Sequence, residues 1–176
     1  MLRLAAASTL VLCLAACGTA PAPVSGAEAR HIRSVLADRA WAPVAANYPE
    51  ALRPEITVHQ TVSDRDWPAR MVSCLRAVGI TAREEGGGVI YSSGGTTSVE
   101  FAVYYYSCQA AWPIQSQVSA FLKPRQLQAL SSYYRNVVQP CRVVFGRDGT
   151  NSPPRFGFAQ RMCPSVPSWL NLNGAE

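Results

Sequence analysis

Histidine is nearly absent: His31 and His59 are the only two in 176 residues. They lie too far apart in the sequence to build a histidine metal site. The chain also lacks Gly-x-Ser-x-Gly and His-Glu-x-x-His, so neither a serine-hydrolase elbow nor a zinc-protease helix is indicated. No Cys-x-x-Cys pair occurs, which excludes the zinc-knuckle and thioredoxin-type signatures. Lysine is limited to Lys123, and the bases are otherwise arginines scattered from Arg30 to Arg83 and beyond, with no dense run. A net charge of +5 with 15% charged residues suits solubility and mild attraction to anionic surfaces, not nucleic-acid binding. Gly86-Gly87-Gly88 has no Gly-Lys-Ser/Thr ending, so it is a turn, not a phosphate loop. No metal, cofactor or catalytic residue is expected.

What is present begins with an export signal. Arg3 precedes an apolar run from Leu4 to Ala16 that is too short to span a bilayer. The run ends Leu14-Ala15-Ala16-Cys17-Gly18, which resembles the bacterial lipobox. That resemblance implies cleavage after residue 16 and a diacylglycerol on the Cys17 thiol; the competing reading is a secreted signal cut after an Ala-x-Ala site. Residues 17–26 then form a semi-extended tether containing Pro21 and Pro23, and Cys13 is discarded with the signal. Residues 27–176 are expected to make one extracytoplasmic α+β domain.

Within that domain, apolar spacing predicts a helix over 27–41, ending before Pro43. Residues 56–62 alternate as a short strand. Ser63-Asp-Arg-Asp66 predicts the start of a second helix, with Ser63 as cap and Asp64 and Asp66 in the first turn. Trp67, Met71, Cys74, Leu75 and Val78 line one face of that helix, and Gly79 ends it. Residues 80–84 and 89–92 are predicted strands around a glycine turn. Thr97–Cys108 is the strongest predicted strand, with Tyr104 and Tyr106 on one face. Those two tyrosines are the candidate ligand surface, weighed against plain sheet packing. Pro124 opens a last long helix that Pro140 should kink or divide and Gly146 should end. Arg155–Met162 is a possible short strand.

Four cysteines remain: Cys74, Cys108, Cys141 and Cys163. An even count in an exported chain points to two disulfides with three possible pairings. The stretch Trp67–Gly79 is echoed by Tyr133–Gly146. In each, a cysteine precedes the terminal glycine by five residues, and a later cysteine follows. The echo predicts two related helix-plus-β half-units sharing one core, an antiparallel sheet, and bridges Cys74–Cys108 and Cys141–Cys163. The main competing arrangement joins Cys74 to Cys141.

The lipobox, the Cys-x-x-x-x-Gly helix end, the Tyr133-Tyr134…Pro140-Cys141 helix and the Cys108…Trp112-Pro113 step resemble a group of small actinobacterial lipoproteins of unknown function. The resemblance covers about Trp67 to Gly146. It departs at Arg142, where that group usually has leucine. It implies a location and an architecture, and brings no activity. The expectation is a lipid-anchored protein on the outer face of the cell membrane. It would act as a non-enzymatic binding or structural domain for an envelope protein or ligand. The alternative is an envelope hydrolase with an unrecognised site around His59.

Overall fold

The computed structural model describes residues 24–146 and 163–172. Cys17, the export signal, most of the tether and the possible strand at 155–162 lie outside those residues. The architecture is α+β: helices around one two-stranded antiparallel hairpin, with both disulfides that the cysteine echo favours.

Helix α1 spans Gly26–Asn47. The Ser25 hydroxyl accepts from the Glu28 N–H at 3.2 Å, and Glu28 sits in the first turn, where the helix dipole favours an acid. The helix does not stop before Pro43. Proline removes one ladder bond, yet the Asn47 amide donates back to the Pro43 carbonyl at 2.7 Å and Tyr48 N–H reaches the Val44 carbonyl at 2.8 Å. Those contacts carry the last turn beyond the proline.

Helix α2 spans Trp67–Ala77, beginning three residues later than an N-cap at Ser63 predicts. Ser63 instead heads a turn. Its hydroxyl accepts from Asp66 N–H at 3.2 Å and donates to the Asp66 carboxylate at 2.6 Å. Ser165 donates to the same carboxylate at 2.8 Å, which ties the C-terminal segment to the start of α2. Asp64 accepts from the Ser116 hydroxyl. Pro68 occupies the first turn, where its missing N–H costs little. At the far end Gly79 takes φ +84°, Ile80 N–H bonds the Leu75 carbonyl at 3.0 Å, and Gly79 N–H bonds that of Arg76 at 3.0 Å. This is the doubled helix-ending motif that a left-handed glycine permits.

Strands β1 (Thr81–Glu85) and β2 (Gly88–Ser92) pair with Thr81 opposite Ser92 and Glu85 opposite Gly88. Gly86 and Gly87, at φ +59° and +80°, make the two-residue turn whose twist matches the strands.

The segment predicted as the strongest strand is helix α3, Ser98–Ala111. Thr97 and Glu100 form a reciprocal capping box: the Thr97 hydroxyl accepts from Glu100 N–H at 3.3 Å, and the Glu100 carboxylate accepts from Thr97 N–H at 3.1 Å. The helix buries Tyr106, Cys108 and Ala111, and packs Phe101, Tyr104 and Tyr105 against α2 and the hairpin. Cys108 is therefore reached by a helix, and the Cys74–Cys108 bridge joins α2 to α3 with Cα atoms 5.7 Å apart. The predicted strand at 56–62 reduces to one parallel bridge, Val62 to Ile114. Its partner is the short link between α3 and α4 (Gln115–Ser119), where Pro113 has no N–H to extend a ladder.

Helix α5 (Pro124–Tyr133) continues through a π-helical turn, Tyr134–Val138, into α6 (Gln139–Gly146). The wider turn sits just before Pro140, where an uninterrupted α-helix would clash. Cys141 on α6 bridges to Cys163.

Buried apolar residues gather in two clusters. One joins Val24, Ala29 and Ile32 to Val118, Leu122, Leu170 and Leu172. The other joins Met71, Val72 and Leu75 to Ile80, Ala82 and Cys108. Thr61 is buried, and its hydroxyl donates to the Leu170 carbonyl at 3.0 Å, holding the segment around Leu170 down.

Closing a loop with a separation of 34 residues should stabilise by about 3.8 kcal/mol on the chain-entropy account. Replacing Cys74 and Cys108 together by serine should lose most of that in urea unfolding. Replacing only Cys141 and Cys163, 22 residues apart, should cost slightly less, about 3.4 kcal/mol. Thr97→Ala should cost about 1 kcal/mol through the lost cap. The Thr97 hydroxyl and then its N–H hold the Glu100 carboxyl below its usual range. That contribution is in place above the ordinary glutamate pKa and is lost as pH falls through the lowered one. Urea midpoints taken through the acid range should fall less steeply in Thr97→Ala than in the parent.

Candidate functional site

Two clefts of appreciable size are open among the described residues. The larger, about 1,010 Å³, lies where residues 163–169 fold back on α2. Its wall includes Asp66, whose carboxylate is already engaged by Ser63 and Ser165. The second, about 800 Å³, is a groove with a different character.

One side of that groove is the last third of α1, with Ala40, Pro43, Val44 and Asn47, followed by Tyr48. The floor is α3, through Ser98, Phe101, Ala102, Tyr105 and Gln109. The rim is the end of β2, through Tyr91, Ser92 and Ser93. Phe101 and Tyr105 are four residues apart, so the helix brings them onto one face. The hairpin lays Tyr91 over both. Ring centres are 4.8 Å apart for Tyr91 and Phe101, 5.7 Å for Tyr91 and Tyr105, and 6.0 Å for Phe101 and Tyr105. Tyr91 keeps 44% of its surface open to solvent.

Among the described residues, no charged side chain lines the groove. Burial, and then the neighbouring Tyr91, push the Tyr105 hydroxyl above its ordinary pKa, so it stays protonated and neutral. The polar groups that face the space are hydroxyls and carboxamides: Ser92, Ser93, Ser98, Asn47 and Gln109. Hydroxyls and amides beside flat apolar rings can orient a ligand. They supply neither an activated nucleophile nor a general base.

The structure separates the two tyrosines proposed from the sequence. On a strand, Tyr104 and Tyr106 would share a face; on α3, residues two apart point about 200° from each other. Tyr106 is buried, with its ring edge-on to Trp41 at 4.9 Å. Its hydroxyl accepts from Arg53 Nε at 3.0 Å, and the same guanidinium pairs with Asp38 at 2.7 Å. It reaches only the floor of the groove, and Tyr104 packs against the α2 cluster. The shared Tyr104–Tyr106 surface thus gives way to Tyr105, Phe101 and Tyr91. The signal for it was present: Thr97-x-x-Glu100 is a helix-start pattern, and a helix from it stacks Phe101 with Tyr105.

Among the described residues, neither histidine is joined to a carboxylate or a serine by a hydrogen bond. His59 is exposed, stacks on Trp112 at 4.5 Å, and its ring makes no hydrogen bond among the described residues. His31 is exposed on α1. No cluster of three or more His, Cys, Asp or Glu side chains suited to a metal occurs among the described residues.

No protein-family model, curated protein or solved structure matches the chain.

Spectrophotometric titration of the tyrosines should include a component ionising later than the ordinary value near 10. Tyr105→Phe should remove part of that late component, leaving the contribution of Tyr133, which burial also raises.

Proposed function

We propose that this chain is a lipid-anchored protein of the cell envelope, held on the outer face of the cell membrane by acyl chains on Cys17. In this reading its disulfide-stapled domain is a non-enzymatic binding module. The observation that carries the binding role is the aromatic groove between α1, α3 and β2, open to solvent and, among the described residues, lined by no charged side chain. Such a lining favours an uncharged ligand that offers both a flat apolar face and hydroxyl groups. A neutral oligosaccharide combines the two: its ring C–H faces lie on the aromatic rings while its hydroxyls reach Ser, Asn and Gln. The lipobox at 14–18 and the even set of paired cysteines support an exported location, where disulfides persist.

The anchor is tested by mass spectrometry of the N-terminal peptide from the native protein. Two or three acyl chains on Cys17 are expected, and Cys17→Ala should move the protein from the membrane fraction to the soluble one. An unmodified Cys17 peptide would overturn the anchor. The binding role is tested by calorimetry with neutral oligosaccharides such as chitohexaose and maltohexaose. Tyr91→Ala should weaken binding about threefold to tenfold, the worth of one aromatic contact. Heat with sulfated oligosaccharides alone, and none with neutral ones, would overturn the assignment.

A further inference from the structure

The helical run from α5 to α6 carries a pattern that the groove does not use. Residues 123–146 contain Lys123, Arg125, Arg135 and Arg142 and no aspartate or glutamate. Arg125 and Arg135 are exposed, and Lys123 has one acidic neighbour, Glu28 at 3.6 Å. The same run leaves large apolar side chains in water: Leu127 at 43%, Tyr134 at 40% and Val144 at 67% exposure. Leu127 and Tyr134 lie seven residues apart, so they flank the same side of the helix. Leu130 and Val138 face inward, and the exposed residues widen that apolar stripe past what the domain covers.

The position of this run matters as much as its composition. Val24 packs in one cluster with Val118 and Leu122, and α5 starts two residues after Leu122. Leu130 of α5 packs on that cluster too. From Val24 back to Cys17 the chain has seven residue steps, a reach of at most about 25 Å. An acyl group on Cys17 would therefore hold the root of α5 close to the bilayer. Among the described residues, no helix is long and apolar enough to cross a membrane. A basic helix with exposed apolar side chains lies on an anionic lipid surface instead.

We infer that the α5–α6 run is a second, electrostatic membrane contact, lying along an anionic phospholipid surface beside the lipid anchor. The inference rests on the Cys17 reading for its distance from the bilayer, but not for its chemistry. Two or three acyl chains already hold a protein firmly, so the basic run adds a surface contact and an orientation to the anchor. The contact also fixes orientation: the groove lies at the other end of α1, roughly 20–30 Å from the chain's exit at Val24, given the helix rise. Docking the α5–α6 run would keep that opening off the lipid.

The test uses the native protein on vesicles of phosphatidylcholine alone and of phosphatidylcholine with 30% phosphatidylglycerol. Hydrogen exchange of peptides within 123–146 should slow at least threefold on the anionic vesicles and not on the neutral ones. Salt at 0.5 M should reverse it. Arg125→Glu with Arg135→Glu should abolish the slowing while thermal stability and both disulfides persist, since both guanidiniums are exposed and, among the described residues, make no side-chain hydrogen bond or ion pair. Equal exchange on both vesicle types in protein bearing acylated Cys17 would overturn the inference and leave the anchor standing. If Cys17 proves unmodified, co-flotation of the unacylated chain with anionic vesicles, about tenfold above neutral ones, reads the helix alone; its absence also overturns the inference. Slowing that rises with protein concentration without vesicles would assign the face to a second copy, and would equally overturn it.

Discussion

The Cys74–Cys108 bridge between α2 and α3 is the constraint on which the arrangement depends. Its sulfurs sit inside the cluster of Met71, Leu75, Ile80 and Ala82, so the covalent link and the apolar packing act on the same pair of helices. With α3 fixed against α2 on one side, its other side is free to receive α1. Tyr106 makes that contact, filling the space beside Trp41 and drawing Arg53 and Asp38 over itself. The hairpin between α2 and α3 is then held over the first turns of α3, where Tyr91 meets Phe101 and Tyr105. The groove is what remains between three elements that each have a separate reason to be there.

The surface divides its chemistry in a similar way. Among the described residues the groove walls carry rings, hydroxyls and amides without a formal charge, whereas the α5–α6 run carries bases without acids. A neutral cleft gains little from long-range steering and depends on contact area and desolvation. A basic helix gains most at a distance and loses it in salt. One molecule thus carries an uncharged groove and a basic helical run on separate elements.

Several features were legible from local chemistry. Gly79 as a helix end, the paired glycines of the hairpin, Pro124 as a helix start and the interruption near Pro140 each follow from one residue's backbone limits. The cysteine pairing followed from the repeated interval before each glycine. The state of residues 98–111 was not legible from periodicity, because the run is apolar on nearly every side. Alternation and helical spacing then fit equally well, and β-branched and aromatic residues tilt the reading toward a strand. The reciprocal contacts of Thr97 and Glu100 pointed the other way, and three burying neighbours (α1, α2 and the hairpin) gave a helix use for all of its faces. The strand reading placed the candidate surface at Tyr104 and Tyr106, whereas the helix brings Tyr105 and Phe101 under Tyr91.

By itself, then, the sequence determined where α2 stops and how the hairpin turns, and it favoured one of three cysteine pairings, since each depends on a few adjacent residues or a repeated spacing. It also set the lack of any metal-binding or nucleophile motif. Tertiary structure decided which ring of the tyrosine run meets solvent and, together with the Thr97–Glu100 cap, that the run coils. It also decided that the last third of α1 walls the groove. Those outcomes turn on contacts between elements dozens of residues apart, whose burial outweighs preferences of a few tenths of a kcal/mol per residue.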